Sequence, residues 1–123
     1  MSERVIALRG AITVESNQAD LILEATSELM TELMSRNGLA AEDMVSCIFT
    51  CTGDLDAEFP AVAARNLGLS SVPLLCGREI DVPGSLPRVI RILMHCYPPD
   101  GAAPKHVYLR DAAALRADLG SAQ

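Results

Sequence analysis

The chain is short of positive charge: 10 lysines and arginines stand against 16 aspartates and glutamates, a net charge of -6. That deficit argues against a nucleic-acid or anionic-membrane surface, where a basic excess gathers the polyanion. Long apolar runs are missing as well, none approaching the ~18 residues of a membrane span. The N-terminus opens on Met1-Ser2-Glu3-Arg4, and Arg9 breaks the next apolar run. A cytoplasmic protein with no membrane partner is expected. The four cysteines, Cys47, Cys51, Cys76 and Cys96, contain no Cys-x-x-Cys pair, and two histidines do not complete a zinc set. No bound metal is expected, and the cysteines read as buried free thiols, each a small hydrophobe.

The usual catalytic signatures are absent too. There is no Gly-x-Ser-x-Gly, no Walker loop, no His-Glu-x-x-His and no Gly-x-Gly-x-x-Gly after a strand. His106, on an apolar strand, and His95, in an apolar run, read as structural or surface residues. An enzyme built from these residues would work by electrostatic stabilisation, with no nucleophile and no cofactor.

What is present suits a single domain, 1–123, with 50% hydrophobic residues and enough chain to bury a core without staples. Val5 to Val14 is β-branched and loosely alternating, a strand carrying Arg9-Gly10 in its middle. Ser16-Asn17 reads as an N-cap pair before a long helix with Ile22, Ala25, Leu29 and Leu33 on one face and Asn37-Gly38 as its stop. Asp20, Glu24, Glu28 and Glu32 line its solvated face. Met44 to Thr52 reads as a central strand, Asp56 to Leu67 as a second helix with Pro60 near its first turn, and Ser71 to Cys76 as a further strand. From Leu86 to Tyr97 helix and strand periods both fit. Lys105 to Leu109 is a short strand, and Asp111 to Gln123 a polar, alanine-rich tail expected to be mobile.

Nine of the ten basic residues are arginine, Lys105 being the lone lysine. Arginine-rich codon usage accounts for this without function; the functional alternative is bidentate binding of carboxylates. Arg9 and Arg91 are the informative ones, because each sits between apolar neighbours and charged residues are rarely buried unpaired. Either they form structural ion pairs with acids such as Glu79 or Asp81, or they line an apolar-walled anion pocket. Paired arginines with one carboxylate would suit a small acid that also carries a hydroxyl or ether oxygen.

A set of short motifs then falls in order along the chain. These are Arg9-Gly10-Ala11 with Thr13-Val14-Glu15, Asp54-Leu55 with Phe59-Pro60-Ala61 and Arg65, Val72-Pro73, and Cys76, Glu79 and Asp81-Val82. Gly84, Leu86, Ile90-Arg91, His106-Val107-Tyr108-Leu109 and Leu115-Arg116 complete it. Together they resemble the AroH class of monofunctional chorismate mutases nearly end to end. The resemblance implies α+β subunits, each a mixed β-sheet with helices packed on one side, assembled as a homotrimeric pseudo-α/β-barrel with active sites at the subunit interfaces. It implies rearrangement of chorismate to prephenate, in phenylalanine and tyrosine biosynthesis, without cofactor or metal.

Carried over by motif, Arg91 would stabilise charge on the breaking ether oxygen. Arg9 and Tyr108 would bind a substrate carboxylate, and Glu79 with the Cys76 segment the ring hydroxyl. Phe59, Ala61 and Arg65 would come from the neighbouring subunit, and Leu115 with Arg116 from a closing tail. Val62 stands where the family often has lysine, a lost rim cation that bears on encounter and affinity more than on chemistry. Pro83 and Pro87 stiffen the loop before Arg91. Two other classes compete with this reading: a non-catalytic small-acid-binding module of βαββαβ type, and a trimeric imine hydrolase with an interface arginine.

Overall fold

A computed structural model describes residues 4–99 and 102–118, with side chains through 115. Its five strands are β1 (Ile6–Thr13), β2 (Met44–Cys51), β3 (Leu74–Arg78), β4 (Val89–Cys96) and β5 (Val107–Leu109), in one sheet of order β3-β2-β4-β1-β5. β4 runs antiparallel to β1 and β2, whereas β2 with β3 and β1 with β5 are parallel pairs, so the sheet is mixed. The α-helices are α1 (Ala19–Arg36) and α2 (Ala61–Asn66). This is the expected α+β class. No helix among the described residues is long and apolar enough to cross a membrane.

Period-2 alternation gives the sheet two different faces. Leu8 and Ile12 of β1, Phe49 of β2, and Ile90, Ile92 and Met94 of β4 are buried on one of them, together with Ile22, Leu29, Met30 and Leu33 of α1. Gly10 lets α1 approach: a Cβ there would lie 2.8 Å from Leu33 Cδ1 and 3.0 Å from Leu29 Cδ1. The glycine after Arg9 therefore has a packing reason. The acidic stripe of α1 is surface, with Glu32 on Arg36 at 2.8 Å and Glu28 on Arg110 at 2.8 Å.

Arg88, in the left-handed region at φ 52, fixes where β4 begins. Its N–H donates to the Asp54 carboxylate at 3.0 Å, its carbonyl accepts from Val14 N at 2.9 Å, and its Nε donates to the Val14 carbonyl at 3.0 Å. Ends of β1 and β4 are thereby locked three residues before Arg91.

Several local expectations are corrected. Gln18, not Ser16 or Asn17, is the N-cap of α1. Asn17 Oδ1 instead accepts from the backbone N–H groups of Asp56 and Ala57, at 2.9 and 3.0 Å. That contact holds Asp56 and Ala57 outside the helix, so α2 starts only after Pro60 and is much shorter than Asp56 to Leu67. β3 begins at Leu74 rather than Ser71, because Val72 N turns back to Leu69 O at 3.1 Å and pairing opens with Cys47 N on Pro73 O. Arg110–Asp118 forms a 3₁₀ helix with Ala112 buried, so the start of the expected tail is folded; residues 119–123 lie outside the described ones.

Candidate active site

The face of the sheet turned away from α1, covered at one end by the 3₁₀ helix Arg110–Asp118, collects the charged residues. Register places Arg9 opposite Leu93 and Ala11 opposite Arg91 across β1 and β4, Thr50 opposite Arg91 across β2 and β4, and Tyr108 beside Ala11 across β5 and β1. Partners in register share a face. Arg9, Ile48, Thr50, Arg91, Leu93 and Tyr108 accordingly line one cleft of about 310 Å³.

Glu79 follows β3 directly and extends its ladder, donating its N–H to Cys51 O at 2.9 Å. Its Oε2 accepts from Arg91 Nε at 3.0 Å and from Thr50 Oγ1 at 2.6 Å. The pair is largely shielded, with 29% of the Arg91 side chain and 16% of that of Glu79 exposed. The ion pair that the sequence allowed is thus present at Arg91, which also lines the cleft. Arg9 differs: among the described residues no hydrogen bond or ion pair reaches its guanidinium. Its backbone N–H donates to His106 Nδ1 at 3.0 Å, a structural use of that histidine. His95 Nδ1 lies 3.2 Å from Ser46 Oγ.

A second cleft, of about 390 Å³, opens at the β3 edge and is lined by Leu55, Phe59, Pro60, Cys76 and Arg78, among others. The structure separates Cys76 from Glu79. Cys76 is in register with buried Phe49, on the helix-covered side, whereas Glu79 reaches Thr50 and Arg91 on the free side. Phe59 is 66% exposed. Ala61 is buried in the first turn of α2 and Arg65 exposed in its last, and neither lines either cleft. Leu115 packs with Tyr108 against the buried group Ala11, Val89 and Ala112, at one end of the free face. The Arg116 side chain lies outside the described residues.

The buried thiols are poor nucleophiles. Burial pushes Cys47 up to about 12, with Cys96 nearby adding to it. Burial likewise raises Cys51 to about 11, helped by Cys76, Glu79 and Asp54. Cys96 is raised by burial and then by Asp43. At neutral pH these thiols stay protonated, and the thiolate is the reactive form. Cys76→Ala, which removes the half-buried fourth thiol, is expected to lower turnover by less than about tenfold, since the substitution removes packing and no nucleophile is needed. Steady-state kinetics on the variant check this. Complete inactivation of a folded variant would point to thiol chemistry.

Residues 5–119 match the family model described as chorismate mutase type I. The chain belongs to this family. The chorismate mutase AroH of Thermus thermophilus is 49% identical over 122 residues, covering 97% of this chain and 99% of that protein. The chorismate mutase AroH of Bacillus subtilis is 40% identical over 116 residues, 91% of this chain and 90% of that one. A solved chorismate mutase from Clostridium thermocellum aligns with a TM-score of 0.85 at 50% identity, covering 89% of this chain and 98% of its own. Thr50 was missed from the sequence; its only signal there is the alternation that puts it on the face opposite buried Phe49.

Proposed function

We propose that this type I chorismate mutase rearranges chorismate to prephenate on the free face of its sheet. The Phe59 cleft of a neighbouring copy completes each site of a homotrimer. The convergence of Arg9, Arg91 and Tyr108 on one apolar-walled cleft, with Glu79 on Arg91, carries this reading.

The substrate is a dicarboxylate with an enol ether and a ring hydroxyl. In its rearrangement the ether C–O bond breaks as a C–C bond forms, all electrons moving within the substrate. No proton is transferred and no covalent intermediate is needed, so the protein must hold the reactive conformer and stabilise negative charge developing on the ether oxygen. Arg91 meets the second need, because Glu79 engages only its Nε and leaves the two terminal nitrogens for the substrate. Arg9 and Tyr108 hold a carboxylate, a pairing suited to a guanidinium with no partner among the described residues. Glu79 accepts from the ring hydroxyl through Oε1.

The neighbouring copy supplies Phe59, Ala61 and Arg65. Cys76 shares the Phe59 cleft and therefore belongs with that half. Leu115 and Arg116 belong to the Arg110–Asp118 segment that closes over the pocket. Exposed Phe59, Leu75 and Ile80, at 66%, 63% and 87%, give the β3 edge the apolar surface that an assembly would bury. The reaction runs in the cytoplasm, as part of phenylalanine and tyrosine biosynthesis.

Sedimentation over a dilution series, with chorismate turnover read at each concentration, tests the shared site. Activity per chain is expected to follow the trimer fraction. A fully active monomer would overturn it.

A further inference from the structure

We infer that Thr50 is a positioning residue for Arg91, acting through Glu79. The inference rests on the reading of Arg91 and Glu79 as substrate contacts given above.

Thr50 Oγ1 and Arg91 Nε converge on the same carboxylate oxygen, Oε2 of Glu79, at 2.6 and 3.0 Å. An ionised carboxylate only accepts, so the hydroxyl donates, and the short distance is that of a charge-assisted bond. Thr50 is β-branched and sits in β2 directly opposite Arg91, so its hydroxyl is held in place by strand register and a stiff χ1. Two consequences follow for the site.

The first concerns Arg91. Carboxylates commonly meet arginine as a fork, two oxygens on two nitrogens. That arrangement would occupy a terminal nitrogen and spend the guanidinium's charge on the protein's own acid. Here the pair is single and lateral, through Nε alone, and the Oε2 that Nε meets is the same oxygen the Thr50 hydroxyl holds, which leaves Oε1 off the guanidinium. The second concerns Glu79, whose Oε1 has no hydrogen-bond partner among the described residues. One hydroxyl therefore keeps a carboxylate oxygen and two guanidinium nitrogens available together beside an apolar-walled cleft. Such a triad is preorganised for a ligand rather than for itself.

Thr50→Val keeps the shape and β-branching but deletes the donor; Thr50→Ser keeps the donor. Thr50→Val is expected to reduce kcat roughly tenfold or more, as the carboxylate swings into the fork, with KM changed less than about threefold. Thr50→Ser should recover most of the loss, and both variants should melt with the wild type. Crystal structures of both variants are read beside the kinetics. In Thr50→Val both Glu79 oxygens should lie on Arg91, and in Thr50→Ser only one. Unchanged turnover in Thr50→Val, equal impairment in Thr50→Ser, or an unmoved carboxylate in Thr50→Val would each overturn the proposal. If the wild-type protein left chorismate untouched, the functional reading would fail, and the carboxylate geometry in the two crystals would still decide the role of Thr50.

Discussion

Arg91→Ala is expected to lower kcat by about 10²–10³ or more while changing KM much less, because a preorganised donor aimed at developing charge is worth ~2.7–4 kcal/mol. The geometry adds a second cost. Removing the guanidinium leaves the Glu79 carboxylate, 16% exposed, with only Thr50 as a partner and facing a dianionic substrate. Arg91→Lys should rescue part of the loss, since it restores the charge but not the planar fork that can keep Glu79 on one nitrogen and the ether oxygen on others. Arg116→Ala, by contrast, should act on apparent affinity. Steady-state kinetics on the three variants separate these outcomes. A rise in KM alone for Arg91→Ala would make Arg91 a binding residue and remove the proposed source of catalysis.

Arg9→Met should fail in a different way. Arg9 is half-buried between apolar neighbours and its guanidinium has no partner among the described residues, so its nitrogens are available to a substrate carboxylate. A hydrogen bond between charged groups contributes about 1.5–3 kcal/mol, so kcat/KM should fall by about 10–10², mostly through KM. The free protein should be as stable as wild type or more so, because methionine fills similar space without a charge. Thermal melting together with kinetics tests both halves. A strongly destabilised Arg9→Met would show that Arg9 has a structural partner and is not held for a ligand.

The elements that could be read from the sequence were those whose burial is one-sided. α1 shows its apolar stripe because it has one face on the core and one away from it. β4 was ambiguous because its less buried face carries Leu93 between Arg91 and His95, and Val89 is buried as well, so apolar residues fall on both faces and a helical period also fits. The ends of α2 and β3 were misplaced because they are set by contacts far along the chain, Asn17 capturing the backbone of Asp56 and Ala57, and Pro73 starting the ladder to β2.

The site divides in the same way. Arg9 and Arg91 stood out as charges inside apolar strands. Glu79 and the Cys76 segment were grouped by the family's motif; an odd separation in extended chain sends two side chains to opposite faces, and within this subunit Cys76 lies with Phe49 and Glu79 with Thr50 and Arg91. Thr50 depends on the non-sequential order β3-β2-β4, which no local pattern encodes.

The most direct measurement is to mix purified protein with chorismate, follow loss of the cyclohexadiene absorbance, and identify the product by NMR, in water and in deuterium oxide. Conversion to prephenate, one molecule for each chorismate lost, is expected at the same rate in both solvents, since no proton moves in the rearrangement. A flat trace from correctly folded protein, or a turnover that slows markedly in deuterium oxide, would contradict an electrostatic, proton-free rearrangement on this sheet face.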